Sequence, residues 1–133
     1  MSQHTPTLPK WILIVSGLFA LLEIMVSVAL WFAPESVVDT VDLTAKGVDY
    51  LVYMWGARQF ALGLIFAYAT IKRSPPMLTL AYIFFSVMMA GDLVIGIVLK
   101  INEMIIPALV MLVISLTLLY LIKKKTAPPI NNA

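Results

Sequence analysis

The sequence predicts an all-α fold, an integral membrane antiparallel four-helix bundle, and three observations carry that expectation. The chain is 62% hydrophobic and only 12% charged, where a soluble domain carries about 25% charged residues. Its mean hydropathy is +0.99. The apolar residues gather in four stretches, 11–32, 50–71, 77–99 and 104–122, each near the roughly 20 residues that a spanning helix needs. These stretches are apolar all round, whereas the helices of a soluble bundle keep a polar stripe. With 133 residues the expectation is one domain, too small for a large transporter acting alone or for an added soluble catalytic domain.

The first span, Trp11 to Phe32, holds Glu23 as its one charge. Ser27-Val28-Ala29 has the look of a signal-peptide cleavage site, but the apolar run is too long for an h-region and a glutamate interrupts it, so it is read as a retained helix. A polar segment follows from Ala33 to Asp49, with Glu35, Asp39, Asp42, Lys46 and Asp49, and Pro34 stands where a short helical turn can begin. The second span contains Arg58 and stops at Lys72-Arg73-Ser74-Pro75-Pro76, since paired prolines break a helix. The third contains Asp92 and runs into a tight turn over Lys100–Glu103. The fourth is uncharged, with Pro107 in its first turns, and a tail from Lys123 to Ala133 reads as disordered and cytoplasmic.

Lysine and arginine set the orientation. Lys10, Lys72, Arg73 and Lys123 to Lys125 fall on one side, Lys46 and Lys100 on the other, and the richer side of a membrane protein is cytoplasmic. Both termini are expected inside a cell membrane. The charge of +2 and pI near 9.0 are then a matter of topology, and no nucleic-acid partner is expected. Trp11, Trp31, Tyr50, Tyr53 and Tyr120 sit near span ends, as interfacial aromatics do.

Three charges remain inside the spans. Glu23 lies nine residues from Phe32, Arg58 eight from Tyr50 and Asp92 seven from Leu99, which places all three roughly 10–14 Å below the outer boundary. A lone charge at such a depth costs at least about 2.5–3.5 kcal/mol and as a rule faces a bundle interior and pairs. Glu23, Arg58 and Asp92 are therefore expected to form one polar core, with Ser16, Ala20, Glu23 and Ser27 on a single face of the first helix and Gln59 within reach. The formal sum of −1 requires one protonated carboxyl, a cation or water. The cluster reads either as a structural lock or as a ligand-binding or proton-exchange site. Gly56 and Gly63 on the second helix, and Gly91 and Gly96 on the third, are expected at close helix contacts or a subunit interface. Met88, Met89 and Met111 read as core filler, with a Met-lined pocket as the alternative.

Several chemistries are excluded. There are no cysteines and one histidine, His4, so neither thiolate nor intramembrane imidazole is available for a metal or haem. No phosphate-binding loop exists. No metal or cofactor is expected, and any catalysis would be acid–base work by Glu23 or Asp92 with Arg58 stabilising an anion.

Trp31-Phe32-Ala33-Pro34-Glu35 and Trp55-Gly56-Ala57-Arg58-Gln59-Phe60-Ala61-Leu62-Gly63 resemble the small four-helix bacterial membrane proteins of the DoxX-like group and related uncharacterised families. That resemblance implies a four-helix bundle in a cell inner membrane, relatives linked to quinone-dependent redox systems or chaperone roles, and a part for Arg58. Ala20-Leu21-Leu22-Glu23-Ile24 with Leu30-Trp31-Phe32 is similar to the first helix of small multidrug resistance transporters, which implies proton or cationic-substrate binding at Glu23. Those transporters need a nearly neutral Lys/Arg balance, and this chain departs from it. The leading expectation is binding of a lipid-soluble or amphipathic ligand, or of a membrane partner, around the polar cluster. Proton-coupled transport as a homo-oligomer comes second and membrane-embedded acid–base catalysis third.

Overall fold

The computed structural model describes residues 8–126; His4 and the segment 127–133 lie outside the described residues. Four helices and one short 3-10 turn account for almost all of them: α1 Lys10–Phe32, the 3-10 turn Pro34–Ser36, α2 Val48–Lys72, α3 Pro75–Leu99 and α4 Asn102–Thr126. Among the described residues there is no strand. α1, α3 and α4 are long and apolar enough to cross a membrane. α2 is as long as α3 but falls outside that group, because Arg58-Gln59, with Tyr50, Tyr53, Trp55 and Gly56 before them, dilute its apolar run.

The boundaries correct the sequence reading at three places. Pro75 and Pro76 are the first two residues of α3 and do not stand outside it. Ser74 is extended and precedes them, and the first turn has no use for the N–H that proline lacks. The turn before α4 is shorter than expected. Lys100 adopts a left-handed φ of 57°, and the Lys100 and Ile101 amides donate to Ile97 O and Gly96 O at 3.3 and 2.9 Å. This is a Schellman closure made with lysine where glycine is usual, and α4 starts at Asn102. α4 also runs through Lys123, Lys124 and Lys125 to Thr126, where the tail was expected to begin; three cations in a last turn favour the negative end of the helix dipole.

Ile14–Lys72 form one compact unit, and the described residues before 14 and after 72 the other. In the first unit α1 and α2 are antiparallel in heptad register. A Cβ built on Gly63 would lie 2.7 Å from Ile24 Cγ1 and 3.2 Å from both Ala20 O and Ile24 N; one on Gly56 would lie 2.5 Å from Trp31 Nε1. Gly17 faces Thr70 at 3.9 Å by the same measure. Positions 17, 24 and 31 of α1 thus meet 70, 63 and 56 of α2; at Gly63 backbone approaches backbone, and at Gly56 the missing side chain makes room for the Trp31 indole. Phe19 stacks on Phe66 with ring centroids 5.8 Å apart, and Trp31 leans on Phe60 at 5.5 Å.

In the second unit α3 and α4 form a hairpin across the tight turn. Gly96 admits Ile105, whose Cγ1 would lie 3.0 Å from a Cβ there. Deeper in, Ser86 Oγ and Ser115 Oγ are 2.9 Å apart. Ser115 donates its single proton to Leu112 O at 3.0 Å, so Ser86 is the donor between the two hydroxyls.

Candidate functional site

The buried face of α1 is its most polar one. Ile12, Ser16, Phe19, Ala20, Glu23, Ser27 and Leu30 are buried, while Ile14, Leu18, Leu21, Leu22, Met25 and Phe32 are exposed. Glu23 is only 4% exposed. The face Ser16–Ala20–Glu23–Ser27 therefore turns inward as one strip, as i, i+4, i+7, i+11 spacing places it.

α2 presents Val52, Gly56, Gln59, Leu62, Gly63, Phe66 and Ala69 inward. Gln59 is 6% exposed, and its Oε1 accepts no hydrogen bond among the described residues. Trp55, one turn away on the same side, has a buried Nε1 that donates none. In the heptad register Gln59 is level with residues 27–28 of α1, and Glu23 lies about one helical turn further along, roughly 6 Å. Ser27 donates to Ile24 O at 2.7 Å, which leaves its oxygen only as an acceptor. The α1–α2 hairpin thus carries within about two turns a buried carboxyl, an unfilled amide oxygen, an acceptor hydroxyl and an unfilled indole N–H. Buried polar atoms nearly always have partners, so among the described residues this is where buried polar groups are least satisfied.

Arg58 does not belong to this set. It is exposed, and its side chain makes no hydrogen bond or ion pair among the described residues. The physical reason is the helix period: 100° separates successive residues, and the face chosen by Gly56, Gln59 and Gly63 turns Arg58 out. The expected three-charge core is corrected in this respect. Asp92 belongs to the other unit, is half-buried and is engaged within the chain. Met88 and Met89, one turn before it, are buried, and Met111 is half-buried.

Of the four glycines expected at helix contacts, Gly56, Gly63 and Gly96 lie at close approaches. Gly91 is exposed with nothing within 4 Å of a built Cβ. Sequence reasoning missed the partner of Gly56. Trp31, read as an interfacial aromatic, covers that glycine and donates its Nε1–H to Tyr53 O at 3.2 Å. The signal was the shared step of seven, Ile24 to Trp31 against Gly56 to Gly63. Among the described residues no three His, Cys, Asp or Glu side chains gather closely enough to hold a metal ion.

No protein family, curated protein or solved structure matches the chain. What it does must be argued from its own residues.

Proposed function

We propose that this is a multi-pass membrane protein in which all four helices span, with both termini cytoplasmic, and that its α1–α2 hairpin binds a lipid-soluble or amphipathic small molecule. The inside-out distribution supports the membrane setting: Ser16, Glu23, Ser27, Gln59, Ser86 and Ser115 are buried, while large aliphatic and aromatic side chains cover the helix exteriors. Such an exterior suits lipid, and intramembrane polar residues face inward as a rule, Arg58 being an exception.

The observation that carries the binding reading is the unfilled Oε1 of buried Gln59. With the acceptor hydroxyl of Ser27 level with it, the site offers acceptors there, so the fitting ligand has an apolar body and a head that donates hydrogen bonds, such as a hydroxyl or an ammonium. Protein purified in mild detergent from its own membranes should carry a small molecule detectable by native mass spectrometry. Gln59→Leu should lose it while unfolding at the same temperature or higher, because removing an unsatisfied buried polar group is neutral or stabilising. Wild-type protein that carries nothing beyond bulk lipid would overturn the reading.

The burial of Glu23 favours a second reading, proton-coupled movement of the same ligand. In proteoliposomes, ligand efflux should then follow an imposed pH gradient and cease to do so in Glu23→Gln. Efflux insensitive to the gradient in wild type would remove this reading and leave binding alone.

A further inference from the structure

The inner face of α2 is filled by α1, and its outer face carries a charge. Arg58 is the eleventh residue of α2, about 15 Å from Val48 and 21 Å from Lys72 along the axis. Arginine stays protonated and offers five donors in a planar fork. Around it on the outer face lie Leu51, Met54 and Ile65, all exposed. Beside it Ala57 and Ala61 form a small-xxx-small pair, also exposed. The inner pair, Gly56 and Gly63, is already occupied by Trp31 and Ile24.

We infer that this outer face of α2 docks a membrane-spanning helix of another protein that carries a carboxylate at mid-span. The inference rests on reading α2 as a span. Small residues let a second helix approach closely in lipid, and a carboxylate matches the guanidinium fork through two parallel hydrogen bonds. Arg58 is more than two turns from either end of α2, whereas snorkelling serves residues near helix ends, so a lipid phosphate is the poorer acceptor. A second copy of this chain is the poorer partner as well. Its carboxylates within the helices, Glu23 and Asp92, are buried or half-buried and engaged within the chain, and the rest lie in the α1–α2 connection or in first helical turns.

The test uses the full chain, labelled through Ala133→Cys, which is its sole thiol because the native sequence has none. It is reconstituted in phosphatidylcholine vesicles with a labelled synthetic helix of about 22 leucine and alanine residues bearing Glu, or Leu, at its centre. Energy transfer should report association roughly tenfold tighter for the Glu helix than for the Leu helix. Arg58→Leu should abolish the preference, Arg58→Lys should keep part of it, and Ala57→Leu should weaken association through bulk. Arg58 packs against nothing inside, so Arg58→Leu is expected to fold, which its unfolding temperature checks. Equal association of the two helices, or a preference that survives in Arg58→Leu, overturns the inference. So does a preference that appears only on adding phosphatidylglycerol, which assigns Arg58 to anionic lipid, or transfer between two copies that Arg58→Leu abolishes, which assigns it to self-association. In parallel, Lys46→Cys and Lys72→Cys variants are treated with an impermeant maleimide. Labelling from opposite sides of the vesicle supports α2 as a span; labelling from one side removes the spanning reading, and this inference with it.

Discussion

The two helical hairpins solve the same packing problem in opposite ways. α3 and α4 are joined by a two-residue turn, and their central polar pair, Ser86 and Ser115, satisfies itself down to the Leu112 carbonyl. α1 and α2 are joined by the long stretch 33–47, pack through glycines, and leave Gln59 Oε1 and Trp55 Nε1 without partners. One hairpin closes its polar accounts internally while the other holds them open. Buried polar atoms left unfilled mark the places where a structure departs from its own stability for another purpose, so function is sought on α1 and α2 and scaffold on α3 and α4.

The sharpest way to break this comparison is at the glycines. Gly63→Ala pushes a Cβ against backbone atoms of α1 and should cost about 1–3 kcal/mol in reversible unfolding in detergent. Gly91→Ala meets nothing within 4 Å and should be neutral or stabilise by about 0.5–1 kcal/mol. Equal losses in both would mean that the α1–α2 contact does not depend on backbone approach.

The serine pair should respond asymmetrically. Ser115→Ala leaves Ser86 without its acceptor and should cost about 1–2 kcal/mol, whereas Ser86→Ala leaves Ser115 still bonded to Leu112 O and should cost less. The double variant should recover part of the loss, read as a coupling in a double-mutant cycle. A smaller gain is expected at the tight turn. Lys100→Gly relieves a left-handed lysine, worth about 1–2 kcal/mol, against the entropy glycine loses on folding, for a net stabilisation below about 1 kcal/mol in the same assay.

The smallest effect belongs to the long connection. The Thr44 hydroxyl, and then its backbone N–H, donate to Asp42 Oδ1 and hold that carboxyl below its ordinary pKa. A depressed folded-state value means that the turn is favoured above the unfolded pKa, about 3.9, and loses that support as pH falls through the lower folded value. Asp42 is fully exposed, so global stability should barely change. The Thr44 amide resonance should titrate with a midpoint below that of an unstructured aspartate; a midpoint at the ordinary value would show that the turn does not persist.

Much of this architecture is legible along the chain. The four helices come from long apolar runs separated by prolines and charges, and the inward face of α1 comes from the spacing of Ser16, Ala20, Glu23 and Ser27. These are local properties: helix formation and the 3.6-residue period act over neighbouring residues. Other features were hidden because they depend on contacts distant in sequence. Trp31 over Gly56 needs the α1–α2 register, and the left-handed Lys100 needs the closure of the α3–α4 turn.

The facing of Arg58 is where the two kinds of information part. The sequence by itself determines that α2 carries an arginine mid-helix with small residues on two sides. A helix that is apolar nearly all round has no hydrophobic stripe to say which side packs. Shape decides instead: Gly56 and Gly63 accept Trp31 and Ile24, Gln59 turns inward with them, and Arg58 is left on the outside. Only the tertiary structure settles that choice, because the Gly56 and Gly63 face is the one that receives α1 and the helix period then places every other side chain.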